Sequence, residues 1–347
     1  MQNKEHFNWI DILKGLGIIL VIMGHQRLSP ELLNYIYLFH MPLFFFISGY
    51  LMNISKYNSI GHLIKKKSKT LLIPYITFSI ISIICYSVIG QVDLDASATL
   101  QSFIEGKRNE IFYNVPLWFL IGLFVIEIMY YVLKKVIKNN GLLLVVIIII
   151  NFISVVILKV IEAPTWIWSI DTAMYYLLYY QLGNLYRIYP IKLADLKKVS
   201  KVVAGLFVFI CISLNLILLL SPDLIYFVYQ YVNTERVFLF IWLIICAIAG
   251  ITTFVCLSKF IQKSERLEYI GKNSLIIFTL HYPIGIWGLD MLKVQLQIDI
   301  IHSNILSIIE LSIILLVLLP IVKIINTKFP ILLGKGRILE STRNVEK

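Results

Sequence analysis

Charge is scarce in this chain. Only 15% of its 347 residues are Asp, Glu, Lys or Arg, against 59% hydrophobic, and the mean hydropathy is +0.84. A water-soluble fold of that size would leave much of this apolar surface exposed, so an integral membrane protein is the class that remains. Cysteine is nearly absent too. Cys85, Cys211, Cys246 and Cys256 all fall in apolar runs with no C-x-x-C spacing, so neither a disulfide framework nor a thiolate metal site is indicated. No small-residue cleavage site follows the first apolar run, which keeps its charges; it reads as part of the working protein rather than as a signal peptide. Repeats, linker-like composition and a soluble catalytic module are likewise missing, so any chemistry is expected among the helices of one bundle spanning residues 1–347.

What is present is a series of apolar runs of spanning length. They fall at 9–28, 35–53, 70–90, 115–133, 141–159, 165–186, 202–220, 237–257, 273–290 and 303–325. In lipid every backbone polar group must be satisfied within its own segment, which makes these runs helices: an all-α bundle of about ten spans. The net charge of +11 is unevenly spread. With the N-terminus inside, 24 of the 31 Lys and Arg residues lie in cytoplasmic segments and six (Arg27, Lys107, Arg108, Lys159, Arg236 and Lys293) in outer ones. That asymmetry predicts both termini inside. It accounts for the basic charge without nucleic acid as a partner and leaves the bilayer as the expected surroundings, in the cytoplasmic membrane.

The first span, "WIDILKGLGIILVIMGH", carries Asp11, Lys14 and His25. At about 100° per residue, the eleven residues from Lys14 to His25 bring the chain back to within roughly 20° of one line, about 16 Å further along the axis. The two form a polar stripe that must face the bundle interior or a water-filled cavity. Asp11, three residues before Lys14, is placed to pair with it. Two readings stand: a structural Asp–Lys pair with a histidine bonded between helices, or a functional stripe. His40 in "YIYLFHMPLFFFISGYL" reaches a similar depth and reads as packing or substrate-lining; Pro42 frees carbonyls there, and Ser48 and Gly49 permit close packing or a bend. Lys65, Lys66, Lys67 and Lys69 fit both a phosphate-binding loop and an orientation signal. Glu127 in the fourth span needs a partner, and Lys14 suits it by depth. The tyrosines of "YYLLYYQLGNLYR" suit an interfacial belt or a sugar path. His281 is buried near mid-membrane ahead of Pro283, while Asp171, Glu235, Arg236 and Asp290 are expected to be solvated at the outer rim.

"DILKGLGIILVIMGH" resembles the first helix of the acyltransferase 3 family of bacterial membrane O-acyltransferases, whose hallmark is a basic residue, ten intervening residues and a histidine; Lys14 and His25 match it without a gap. "FHMPLFFFISGYL", "KKKSKTLLIPY", "LWFLIGLFVIE" and "LEYIGKNSLIIFTLH" are similar to later segments of that family, so the resemblance covers almost the whole chain. Two departures stand out. Many members carry arginine where this chain has Lys14, and its basic segment is lysine-only, which removes the bidentate fork of arginine. Many also carry an additional extracytoplasmic domain, whereas this chain reads as a membrane module alone.

The resemblance implies acyl-CoA, usually acetyl-CoA, as a cytosolic donor and a sugar hydroxyl as acceptor, with no metal. His25, Lys14 and Glu127 are then the catalytic candidates. His25 serves as base or transient acyl carrier, its ordinary pKa lying near neutrality. Lys14, Lys65, Lys66, Lys67 and Lys69 are the donor-binding candidates, and Asp11, His40, Ser48 and His281 support or line the site. The acceptor is a surface glycan or its lipid-linked precursor. A transporter or flippase of a lipid-linked saccharide is the competing class; it needs neither a base nor a site for CoA phosphates.

Overall fold

The computed structural model describes residues 8–90, 94–158, 164–189, 198–221, 236–298 and 303–335. Lys159 and Glu235 lie outside the described residues, as does the side chain of Arg236. No strand occurs among the described residues, and the α-helices run α1 (Asn8–Gly24), α2 (Pro30–Tyr37), α3 (His40–Leu51), α4 (Ile60–Lys67), α5 (Ile73–Gly90), α6 (Ala96–Glu105), α7 (Trp118–Val136), α8 (Asn140–Phe152), α9 (Ile170–Ile188), α10 (Lys198–Leu220), α11 (Arg236–Ile261), α12 (Glu265–Lys272), α13 (Ser274–Leu280), α14 (Trp287–Gln295) and α15 (Asn304–Lys328). Among the described residues, helix occupies most of each expected run. Among the described residues six helices are long and apolar enough to cross a membrane: Pro30–Leu51, Ile60–Val88, Val115–Val136, Phe240–Ile261, Ser274–Gln295 and Asn304–Lys328. Asn140–Val156 and Gly205–Leu220 are apolar but shorter, so the count of ten spans is approximate.

Three local expectations change. The first helix stops at Gly24, not at 28, and His25 sits in the turn beyond it, its N–H bonded to Ile22 O at 3.1 Å. The second span is interrupted at Leu38–Phe39, which separates α2 from α3 and puts Pro42 in the first turn of α3, where a missing N–H costs nothing. The basic "loop" is a helix. Ser59 caps it by accepting from His62 N at 3.2 Å, and it continues through a π-helical turn at Ser68–Leu72 into α5. That turn lies just ahead of Pro74, whose ring leaves the ordinary i−4 bond unavailable.

Backbones touch where glycines allow it. A Cβ on Gly49 of α3 would lie 1.8 Å from Tyr180 O, and one on Gly183 of α9 would lie 1.9 Å from Phe46 O, so these two helices pack backbone to backbone. The same device joins α1 to α12, where Cβ atoms on Gly15 and Gly271 would lie 2.3 Å from Leu267 O and 1.8 Å from Asp11 O. Without a hydrophobic drive between helices in lipid, such close approaches supply the van der Waals contact that holds a bundle together. They place α9 in the interior, so Tyr176, Tyr179 and Tyr180 are buried core residues rather than an interfacial belt. Tyr189, just past the helix, is the exposed one.

Candidate functional site

The expected site residues fall into two groups. At the Lys14 end of α1, Lys14 Nζ stands 3.4 Å from Asp11 Oδ1, the pairing expected from their spacing. Glu127 is not paired with Lys14. Lys67 reaches it from α4, with Nζ 2.7 Å from Oε1 and 2.6 Å from Oε2. This contact joins residues 60 apart in sequence, and it takes Lys67 out of the group of exposed lysines, which leaves Lys65, Lys66 and Lys69. Ser48 is also occupied locally, its hydroxyl donating to Phe44 O at 2.8 Å.

At the other end of α1, three histidines converge. His25 and His281 have ring centres 5.3 Å apart, and His25 shares a cavity wall with His40. Helix interruptions explain how the two supporting rings are held. His40 Nδ1 bonds Ile36 O at 2.9 Å, where α2 ends. His281 Nδ1 bonds Phe278 O at 2.7 Å, at the start of the π-helical turn His281–Ile286. A carbonyl only accepts, so Nδ1 carries the proton in both, and in the neutral form of either ring Nε2 is the acceptor. His281 Nε2 is buried with no hydrogen-bond partner among the described residues. Pro283 offers no N–H to Thr279 O four residues back, and Asn114 Nδ2 takes that carbonyl at 2.9 Å while also donating to Ser82 Oγ at 2.8 Å.

Asn114 ends the 94–114 segment, which folds over the His25 end of the bundle. The segment is pinned by Tyr75 OH donating to Phe103 O at 2.7 Å and Ser169 Oγ donating to Gly106 O at 2.9 Å. Gly106 closes α6 in the left-handed region with φ 54°, a turn that aims the next residues inward. Lys107 is bound by Glu105 at 2.7 Å, and its hydrogen bond holds the Glu105 carboxyl below the usual carboxylate range. Arg108 instead lies over the rings of Trp118 (5.1 Å) and Tyr176 (5.9 Å).

A cavity of about 180 Å³ is lined by His25, His40 and Tyr37 together with Arg108, Trp118 and Tyr176. A water-sized void of about 20 Å³ lies on the far side of His25, against Gln26, Asp290 and Glu310. Both amide atoms of Gln26 are buried there without a partner among the described residues. Asp290 is not merely solvated: it binds Arg27 at 3.1 Å and Lys293 at 3.6 Å, and Lys293 also binds Glu310 at 2.5 Å. Asp171 accepts from Trp166 N at 3.3 Å.

The structure therefore joins His25, His40 and His281, and keeps Lys14, Asp11, Glu127 and the lysines of 65–69 apart from them. Sequence reasoning missed Arg108, Trp118 and Tyr176 as site residues. The signal was the run "KRNEIFYNVPLW", an arginine followed by aromatics at the mouth of a span. Chemically, an imidazole lining an aromatic-walled cavity is equipped, in its neutral form, to take a proton from a bound hydroxyl.

No curated protein and no solved structure matches the chain. A family model described as an acyltransferase domain, that of acyltransferase 3, matches residues 7–326, from the start of α1 to the last turns of α15, and so takes in the three histidines and the cavity they line. A multi-pass membrane bundle matched over nearly its whole length leaves one conclusion: the chain belongs to the acyltransferase 3 family and is a membrane acyltransferase.

Proposed function

We propose that this acyltransferase moves an acetyl group from cytosolic acetyl-CoA to a hydroxyl of a cell-surface glycan or its lipid-linked precursor, with His25 as general base. The observation that carries the reading is the position of His25, which pairs the family's basic-residue-to-histidine spacing with a cavity walled by Trp118 and Tyr176. Aromatic faces of this kind suit a sugar ring.

In the reaction the His25 imidazole takes the proton of the acceptor hydroxyl as its oxygen attacks the thioester carbonyl. The C–S bond then breaks, and the imidazolium returns the proton to the departing thiolate. His281 is the positioning residue: its Nε2 is an unclaimed acceptor beside His25, suited to hold the second ring N–H and so fix which nitrogen is basic. The donor's phosphates meet the exposed Lys65, Lys66 and Lys69, and Lys14 holds the pantetheine arm, which spans the roughly 16 Å from Lys14 to His25. Glu127 belongs to a structural brace with Lys67 rather than to the chemistry.

The test is transfer of labelled acetyl from acetyl-CoA to surface glycan by purified protein. Wild type should transfer label and His25→Ala should not, while remaining folded. Undiminished transfer by that variant removes His25 from the mechanism, and absence of both transfer and CoA binding in wild type returns the molecule to the transporter class.

A further inference from the structure

The basic residues at the His25 end are not equivalent. Arg27 is held by Asp290, Lys293 by Asp290 and Glu310, and Lys107 by Glu105 at 2.7 Å and Glu110 at 3.7 Å. Glu110 further accepts from Thr165 Oγ1 at 2.5 Å. Arg108, next in sequence to Lys107, has no carboxylate partner among the described residues and lines the cavity with His25. No acidic side chain lines that cavity. A cation left uncompensated in a partly enclosed, aromatic-walled site raises the local positive potential there.

Its geometry is as informative as its charge. The guanidinium carbon lies 5.1 Å from the centre of the Trp118 ring and 5.9 Å from that of Tyr176, so the charge is held at the aromatic wall of the cavity. A guanidinium carries five N–H donors in a planar fork, which suits a carboxylate or phosphate taken in two parallel hydrogen bonds. Neutral sugars offer hydroxyls, which Asn or Gln side chains satisfy without an unpaired charge to desolvate.

We infer that the acceptor is an anionic saccharide, and that Arg108 binds a carboxylate or phosphate carried on or next to the sugar ring that His25 deprotonates. The inference rests on the proposed acyltransferase reaction and names its acceptor class. Arg108 is then a specificity determinant, and acts mainly on acceptor KM.

The test uses surface glycan from cells lacking the protein, stripped of esters by mild alkali and offered in three forms: untreated, carboxyl-reduced and dephosphorylated. Wild type should acylate the untreated glycan about 10–100-fold more efficiently than one of the treated forms, and which form fails identifies the anion. R108Q should lose that preference through KM, and R108K should keep part of it. Equal use of all three forms by wild type overturns the inference, as does an equal loss on charged and neutral glycan in R108Q, which would mark Arg108 as a transition-state or structural group. If R108Q fails to fold, the wild-type arms and R108K still decide. If no acyl transfer occurs at all, binding of the same glycans is read by tryptophan fluorescence against a Trp118→Phe control. Charge-selective binding lost in R108Q then sustains the anion site while the reaction falls; binding without charge preference, or none, overturns the site as well.

Discussion

Two clusters of polar side chains sit inside this bundle, and they differ in whether the fold completes them. Glu127 and Lys67 are paired charge to charge across two helices, with the carboxylate almost wholly buried. Around the cavity, His281 keeps a buried Nε2 with no hydrogen-bond partner and Arg108 a guanidinium with no carboxylate among the described residues, beside His25 and His40. In lipid an unsatisfied polar group is expensive, so a closed pair reads as a brace and an open set around a cavity reads as a site.

The contrast can be broken from either side. The largest expected effect is on chemistry alone. His25→Ala should lower transfer by about 10²–10⁴-fold with little change in thermal stability, measured by label transfer and by melting in detergent. Glu127→Ala should do the reverse. It strands Lys67 and should cost about 3–5 kcal/mol of stability, while the surviving folded fraction keeps its turnover. Replacing both partners, Glu127→Leu with Lys67→Met, should restore stability or raise it, since no buried charge is then left alone. If the double variant is folded but inactive, Glu127 belongs to the site and the division between clusters fails.

Backbone contacts come next. Gly183→Ala drives a methyl toward Phe46 O and should destabilise by about 1–3 kcal/mol, more than the same change at Gly205, which has no neighbour within 4 Å. A smaller effect is expected at the positioning residue. His281→Phe should reduce kcat by about 10-fold and alter its pH profile, because His25 loses the acceptor that selects its tautomer. A role for His281 in packing alone would leave the pH profile where it was. The smallest effect concerns the donor: Lys65, Lys66 and Lys69 changed together to Gln should raise the KM for acetyl-CoA several-fold and flatten its salt dependence. Exposed charges contribute little one by one.

How much of this was legible in the sequence follows from contact range. The helical runs and the Asp11–Lys14 pair depend on neighbours within one helix, and a period of 3.6 residues is enough to read them. Partners at long range were not readable. Glu127 finds Lys67 rather than Lys14 because the lysine segment is helical and continuous with α5, a consequence of the Ser59 cap and the turn before Pro74. The tyrosines of α9 had the composition of a membrane-interface belt, but the glycine contacts with α3 draw that helix into the core. Arg108 was hidden by its loop, whose mildly acidic composition conceals the fact that its carboxylates serve Lys107.

The glycine contact between α1 and α12 has one further consequence. Gly271 and Gly15 press backbone on backbone at the Lys14 end of α1, so that helix cannot slide along its axis without driving atoms through one another. Its rise per residue is set by hydrogen bonding. α1 is therefore a ruler clamped near its zero mark, and the turn that carries His25 begins where the ruler ends. Any molecule that bridges the two ends is measured for length before it is recognised for chemistry.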